Sequence, residues 1–515
     1  MSPRSRRGFL ADVGKGMLVV SVGPALARDM GLASAMAGEV DERLTFGSIE
    51  PLVSLMQQTS IDRLLPALVE KVKSGTTLKE LVAAGALANA RTFGGQDYIG
   101  FHTLMALPPA LDMSRELPED RRALPVFKVL YRNTNHIQTN GGGSQEQLHP
   151  IHAGELPSSR PGGEQLQQAV RGLEMETAEK MFAAIARGGP DDAFNELQWI
   201  VQDDTDVHRV VLAYRAFALL EVTGLEHAHT LLRQSVRYCV QSENGYVKRG
   251  RSLPSVREAL PKLLDQYRLL ERPLGDRQAD DAWIEEMSRI VFGTDREHAA
   301  DAVAAALADG MSPESVGEAI SVAANRLVLH DPGRRNAQEG KPLGSVHGDS
   351  VGVHASDAAN AWRNIAQVSN HRNTLASLIV AAYHTAGQSG NLNSEPYPAA
   401  EHLAEVGGSD PAALLAEAEA AIRDQNQFAA TAIVHRYGEL GGEPAPVFNL
   451  LLRYATSEDG ALHAEKYYRT VSEEFGRTRQ SMRWRQLAAL ARVTASEFGR
   501  PAPGYAEACR LLGVS

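Results

Sequence analysis

The chain has 515 residues, of which 43% are hydrophobic, 22% are charged and only two are cysteines. This composition is typical of a folded globular protein and excludes wholesale disorder and a disulfide-dense scaffold. The two cysteines also exclude a four-cysteine iron–sulfur or zinc site, and no Cys-x-x-Cys-His segment is present to attach haem covalently. The formal net charge of −11 argues against a general nucleic-acid-binding surface.

A basic and then apolar segment opens the chain. The run Ser5-Arg6-Arg7-Gly8-Phe9-Leu10 precedes an apolar stretch that ends in Ala25-x-Ala27. This arrangement resembles a twin-arginine (Tat) signal peptide, although Ala11 stands where the motif has a lysine. The resemblance implies cleavage after residue 27, or after residue 37 at a second Ala-x-Ala pair. It also implies the Tat export machinery as a partner and a periplasmic or secreted location.

The apolar part of this segment is short and is interrupted by Gly23 and Pro24, so it is poorly suited to spanning a bilayer. No later segment approaches about 20 continuous apolar residues, the length that a membrane-spanning helix needs. We therefore expect no stable transmembrane helix in the mature chain.

The rest of the chain predicts helices. Apolar residues recur with helical spacing from residue 61 to residue 72 and form one stripe. Thr77 and Glu80 then have the spacing of a capping box, which opens the next helix. Alternating β-branched runs with hairpin dipeptides are scarce. The pattern indicates an all-α protein.

The organisation returns about 235 residues later. Residues 75–91 match 310–326, and Asp97-x-x-Gly-x-His102 matches Asp349-x-x-Gly-x-His354 after an insertion in the second copy. We therefore predict two tandem, internally duplicated helical units packed about a pseudo-two-fold axis. The predicted boundaries are a signal peptide at 1–27, the first unit at 50–245, a linker with a helix at 246–285, the second unit at 286–480 and a helical tail at 481–515.

Four histidine pairs coincide between the two predicted units: His102 with His354, His136 with His371, His149 with His384, and His227 with His463. Neutral imidazole is the commonest metal ligand, and a site with several imidazoles suits a transition metal better than magnesium or calcium. We expect each unit to gather its four histidines from separate helices around one metal. Because His208 and His435 have no histidine at the matched position, they receive no site assignment.

These observations predict an exported helical metalloenzyme that acts on a small-molecule substrate. Tat export often serves proteins that fold around a cofactor, which favours an oxidoreductase with iron or copper, ahead of zinc. Two alternatives remain: a non-catalytic periplasmic helical binding or scaffold protein with core histidines, and a metal-free enzyme whose histidines act as general acids or bases. Cys239 and Cys509 either pair after export or remain thiols.

Overall fold

The computed structural model describes residues 43–157, 160–338, 341–348 and 350–514. The predicted signal peptide, both cleavage points and Asp349 lie outside the described residues.

Every regular element of the described residues is helical, which confirms the all-α prediction. The helices up to residue 266 are α1 (Glu50–Gln58), α2 (Ile61–Lys73), α3 (Leu78–Phe93), α4 (Tyr98–Glu116), α5 (Ala123–Thr139), α6 (Gly162–Arg171), α7 (Met175–Ile185), α8 (Pro190–Val201), α9 (Val207–Ala218), α10 (Leu220–Thr223), α11 (Ala228–Arg249) and α12 (Val256–Gln266). Those that follow are α13 (Asp281–Phe292), α14 (Arg296–Ala308), α15 (Pro313–Leu329), α16 (Val351–Val368), α17 (His371–Ala386), α18 (Ala400–Ala404), α19 (Pro411–Arg423), α20 (Gln427–Glu439), α21 (Pro444–Ser457), α22 (His463–Arg477), α23 (Trp484–Glu497) and α24 (Tyr505–Leu512).

Local sequence signals place several of these helix starts. The Thr77 hydroxyl accepts from the Glu80 backbone N–H at 3.2 Å, and the Glu80 carboxylate accepts from the Thr77 N–H at 2.8 Å. This reciprocal pair is the predicted capping box of α3. Ser312 caps α15 in a similar way, with Pro313 at the first helical position.

The apolar side chains form two cores. The larger core takes most of its residues from α1–α17, and the smaller core lies among α19–α23. Helices α4 and α16 both pack against α9 and against α22, so these four helices meet where the cores adjoin. This meeting point positions the candidate site, because each of the four helices carries a histidine in its first two turns.

The two predicted units share a helix order only in part of their length. Helices α2, α3, α4 and α5 of the first predicted unit correspond in order to α14, α15, α16 and α17 of the second. The predicted insertion at 331–348 lies between α15 and α16. However, His136 lies in the last turn of α5, whereas His371 is the first residue of α17. The alignment of this pair is therefore wrong, and the duplication and its pseudo-two-fold axis stay predictions.

The predicted linker and tail are helical and packed. Helix α11 runs through residue 245, and α12 and α13 occupy much of 246–285. Helix α23 lies in the predicted tail, where it packs against α20 in the smaller core. None of the described helices combines the length and apolar character that crossing a membrane requires.

Candidate histidine centre

Four histidine rings meet where α4, α9, α16 and α22 come together. The rings form a closed quadrilateral, with centroids 4.9 Å apart for His102 and His208, 5.7 Å for His208 and His354, 5.2 Å for His354 and His463, and 5.2 Å for His463 and His102. We call these four residues the histidine centre. It draws its members from both predicted units.

His102 is 3% exposed, and its tautomer follows from its hydrogen bond. Its Nδ1 lies 2.7 Å from the carbonyl oxygen of Tyr98, one turn earlier in α4. A carbonyl only accepts, so Nδ1 carries the proton and Nε2 offers a lone pair. That Nε2 is buried and has no hydrogen-bond partner among the described residues.

His208 follows the same pattern at the start of α9. Its Nδ1 lies 3.2 Å from an oxygen of Asp206, the N-cap residue of that helix, which also accepts from the His208 backbone N–H at 3.0 Å. The hydroxyl of Tyr238 donates to the other Asp206 oxygen. The His208 Nε2 is likewise buried with no hydrogen-bond partner among the described residues. A carboxylate bonded to Nδ1 in this way is the usual second partner of a metal-binding histidine.

His354 and His463 face each other through their Nε2 atoms, which lie 3.2 Å apart. Two neutral imidazoles with both lone pairs facing would repel, so either one Nε2 carries the proton or a cation is shared between them. Gly348 fixes the position of His463, because a Cβ on that glycine would lie 2.0 Å from the His463 Cβ.

Burial and neighbouring positive charge keep two members of the centre, His102 and His463, neutral. Burial is the main reason that the pKa values of His102 and His463 lie far below the usual range, and the ammonium group of Lys466 lowers both further. Burial also lowers the pKa of Lys466 to about 8, although Asp357 and Glu465 oppose the shift. For Asp206, burial opposes ionisation, but the hydrogen bonds from His208 and Tyr238 outweigh it and hold the pKa at about 2. His102 and His463 are therefore neutral, as metal ligands must be.

The other predicted ligands have contacts outside this quadrilateral. His136 stacks on Phe93 with centroids 4.9 Å apart, and its Nε2 lies 2.6 Å from Asp97. His227 packs edge-on to Phe46, and His384 accepts a hydrogen bond from the indole N–H of Trp362 at 3.4 Å.

The remaining two predicted ligands are His149 and His371. The carbonyl of His149 accepts from Arg233 at 2.8 Å, and His371 opens α17. The expectation of one centre in each unit is corrected here, because the structure gathers three of the eight predicted residues, His102, His354 and His463, into one centre with His208.

Sequence analysis missed His208 because the matched alignment left it without a histidine partner. A local signal was present: Asp206-x-His208 opens a helix, which places a carboxylate beside an imidazole at an N-terminus. In the structure, His208 and His463 both stand at the start of helices that pack against α4 and α16. His208, rather than His227, thus shares a setting with His463.

The histidine centre is not a preassembled metal site. Within the described ranges, no three His, Cys, Asp or Glu side chains already have the arrangement to hold an ion. The donor set is nevertheless suitable, since the buried Nε2 atoms of His102 and His208 lack hydrogen-bond partners among the described residues, and those of His354 and His463 lie 3.2 Å apart. A tetrahedral ion about 2.0–2.1 Å from each imidazole nitrogen spaces neighbouring nitrogens by about 3.3 Å. The Nε2 atoms of His354 and His463, 3.2 Å apart, already lie at nearly this spacing.

The two cysteines are both free thiols. Cys239 is buried, its Sγ accepts from the Arg209 Nε at 3.1 Å, and burial raises its pKa to about 11 despite that guanidinium. Cys239 is therefore an unreactive core thiol.

Comparison of the chain with protein-family models, with curated proteins and with solved structures finds no match.

Proposed function

We propose that the histidine centre binds one transition-metal ion and that the protein is an exported metalloenzyme, an oxidoreductase. The observation that carries this proposal is the convergence of four imidazoles, two of which have buried Nε2 atoms without a hydrogen-bond partner among the described residues. An unpaired buried polar atom is unfavourable by about 1–3 kcal/mol, and here two such atoms belong to neighbouring rings whose centroids are 4.9 Å apart. A shared ion removes both penalties.

The donor set favours iron or copper over catalytic zinc. Zinc enzymes generally use three protein ligands and keep the fourth position open for water, whereas the centre offers four imidazoles. Imidazole suits iron and copper equally well, and these metals supply electron or dioxygen chemistry when bound. His102, His208, His354 and His463 would hold the ion through Nε2, and Asp206 would orient His208 through Nδ1.

Metal content tests the binding step. We expect about one iron or copper per chain in protein purified from its native compartment, and at least about a tenfold loss of affinity in His102→Ala, His208→Ala and His463→Ala. His298→Ala is the matched control, since His298 is exposed on α14. His227 was predicted as a ligand from the sequence but packs against Phe46, outside the histidine centre. We therefore expect His227→Ala to keep its metal content. Full metal content in all three centre variants would refute the proposal.

Redox chemistry is tested by the oxidation state of the bound metal. We expect ascorbate to reduce the ion and air to reoxidise it, with matching changes in its electron paramagnetic resonance spectrum. A redox-silent ion such as zinc at full occupancy would refute the oxidoreductase and leave a metal-binding protein.

We also propose export by the twin-arginine route, which is supported by the resemblance at Ser5–Leu10. Changing Arg6 and Arg7 to lysine should leave the chain in the cytoplasm. Normal delivery of that variant to the periplasm would refute the route.

The second candidate is a non-catalytic helical binding protein. It is favoured by the absence of a preassembled metal site among the described residues and by a groove of about 710 Å³ whose lining includes Leu117, Leu415 and Tyr505. Protein that contains no metal when isolated and takes up neither iron nor copper would select this candidate.

A further inference from the structure

A cavity of about 470 Å³ opens beside the histidine centre, between the start of α4, the start of α9 and the second half of α11. Its volume is in the range of about 300–1,000 Å³ that is usual for small-molecule sites. His208 lies in its wall, so a molecule bound in the cavity contacts one ring of the centre.

Four aromatic rings line the cavity, those of Tyr98, Phe101, Tyr238 and Tyr246. Phe101 meets Tyr238 edge-on with centroids 5.2 Å apart and meets Tyr98 at 5.5 Å. Tyr98 is nevertheless 58% exposed, which leaves much of its face open to a ligand. Offset and edge-on aromatic contacts each contribute about 0.5–1.5 kcal/mol, so this wall favours a planar ring.

The charges of the cavity favour an anion. Asp204 pairs with Arg209 at 3.2 Å and accepts from the Tyr246 hydroxyl at 3.1 Å. Asp206 is engaged by His208 and Tyr238, so both carboxylates of the wall have partners within the protein.

The cationic side chains of the cavity differ from these carboxylates in their contacts. Arg249 and Arg251 also line it and are exposed, and their guanidinium groups make no hydrogen bond or ion pair with the described residues. A guanidinium presents a planar fork that matches the two oxygens of a carboxylate.

We propose that this cavity binds a small aromatic carboxylic acid, with its ring against Tyr98 and Tyr238 and its carboxylate at Arg249 and Arg251. The role of this acid as the substrate rests on the proposed function, whereas its binding does not. Because His208 lies in the same wall as Tyr98 and Tyr238, the aromatic ring of the bound acid lies next to the histidine centre.

Calorimetric titration of the full chain with benzoate tests the binding. We expect saturable binding of one benzoate per chain, at least tenfold tighter than that of benzyl alcohol, which has the ring without the charge. Arg249→Ala with Arg251→Ala should weaken benzoate binding at least tenfold and leave benzyl alcohol unchanged. Tyr98→Ala should weaken both, because it removes the ring contact.

Lys248→Ala is the matched control, since Lys248 is an exposed cation on the same helix that does not line this cavity. The proposal is overturned if wild-type protein shows no saturable benzoate binding, or if the double arginine variant binds benzoate as Lys248→Ala does. Metal content is measured on the same samples. Benzoate binding without metal would support this site and refute the proposed function, and metal without benzoate binding would do the reverse.

Discussion

His384 is buried and neutral at the end of α17. Burial lowers its pKa from 6.5 to about 4, and its Nδ1 accepts from Trp362, which requires that nitrogen to be unprotonated. The unfolded chain therefore binds a proton at His384 below about pH 6.5, whereas the folded chain does not until about pH 4. Because the unfolded state holds more protons in this window, stability falls as the pH is lowered through it.

We expect His384→Asn, which retains an acceptor near Nδ1, to reduce this acid sensitivity. The wild type should lose up to about 3 kcal/mol more unfolding free energy than the variant between pH 7 and pH 4. Urea titrations at several pH values measure the difference. Parallel pH profiles of the two proteins would show that His384 does not carry this effect.

At the scale of the element, the loop before α16 packs directly on the start of α22. A Cβ at Gly348 would lie 2.0 Å from the His463 Cβ and 2.6 Å from its Cγ, and the Gly348 N–H donates to Glu497 at 2.9 Å. The loop and the helix therefore fit only while residue 348 lacks a side chain.

Gly348→Ala should displace His463 and destabilise the protein by about 1–3 kcal/mol, as overpacking of a filled site does. Gly476→Ala, in α22 itself, is the control, because a Cβ there would meet nothing within 4 Å. That change should instead stabilise the helix by about 0.5–1 kcal/mol. Thermal unfolding measures both effects, and an unchanged melting temperature in Gly348→Ala would contradict the close fit.

At the scale of the molecule, a buried lysine joins the two predicted units. The Lys128 ammonium on α5 forms an ion pair with Glu465 on α22 at 2.7 Å and donates to the carbonyls of Ala455 and Glu458 at 2.8 and 2.6 Å. Both side chains of the ion pair are at most 1% exposed. Removing one partner of such a pair leaves the other charge buried without compensation.

We expect Lys128→Met to lower the unfolding free energy by about 3–5 kcal/mol and to keep a single calorimetric transition. Adding Glu465→Gln should recover part of the loss. Lys180→Ala breaks an exposed pair with Glu176 and should have little effect. Separate transitions in wild-type protein would instead show that the units unfold independently.

The sequence predicted those features that depend on neighbours along the chain. The capping box at Thr77 and the apolar stripe of α2 each need only helical periodicity or a spacing of three residues, and both are confirmed. The histidine centre depends instead on which helix ends meet across the fold. Spacing therefore paired His463 with His227, whereas packing brings it beside His102 and His354.

The histidine centre takes its members from residues 102, 208, 354 and 463, which has a consequence for the order of synthesis. At about 5–20 residues per second, a ribosome needs roughly 10–50 s to travel from His208 to His463. During that interval a nascent chain holds two or three of the four imidazoles and cannot close the quadrilateral. Assembly of the centre therefore cannot be completed before His463 has been synthesised, and a chain terminated before α22 would lack both His463 and the Glu465 partner of Lys128.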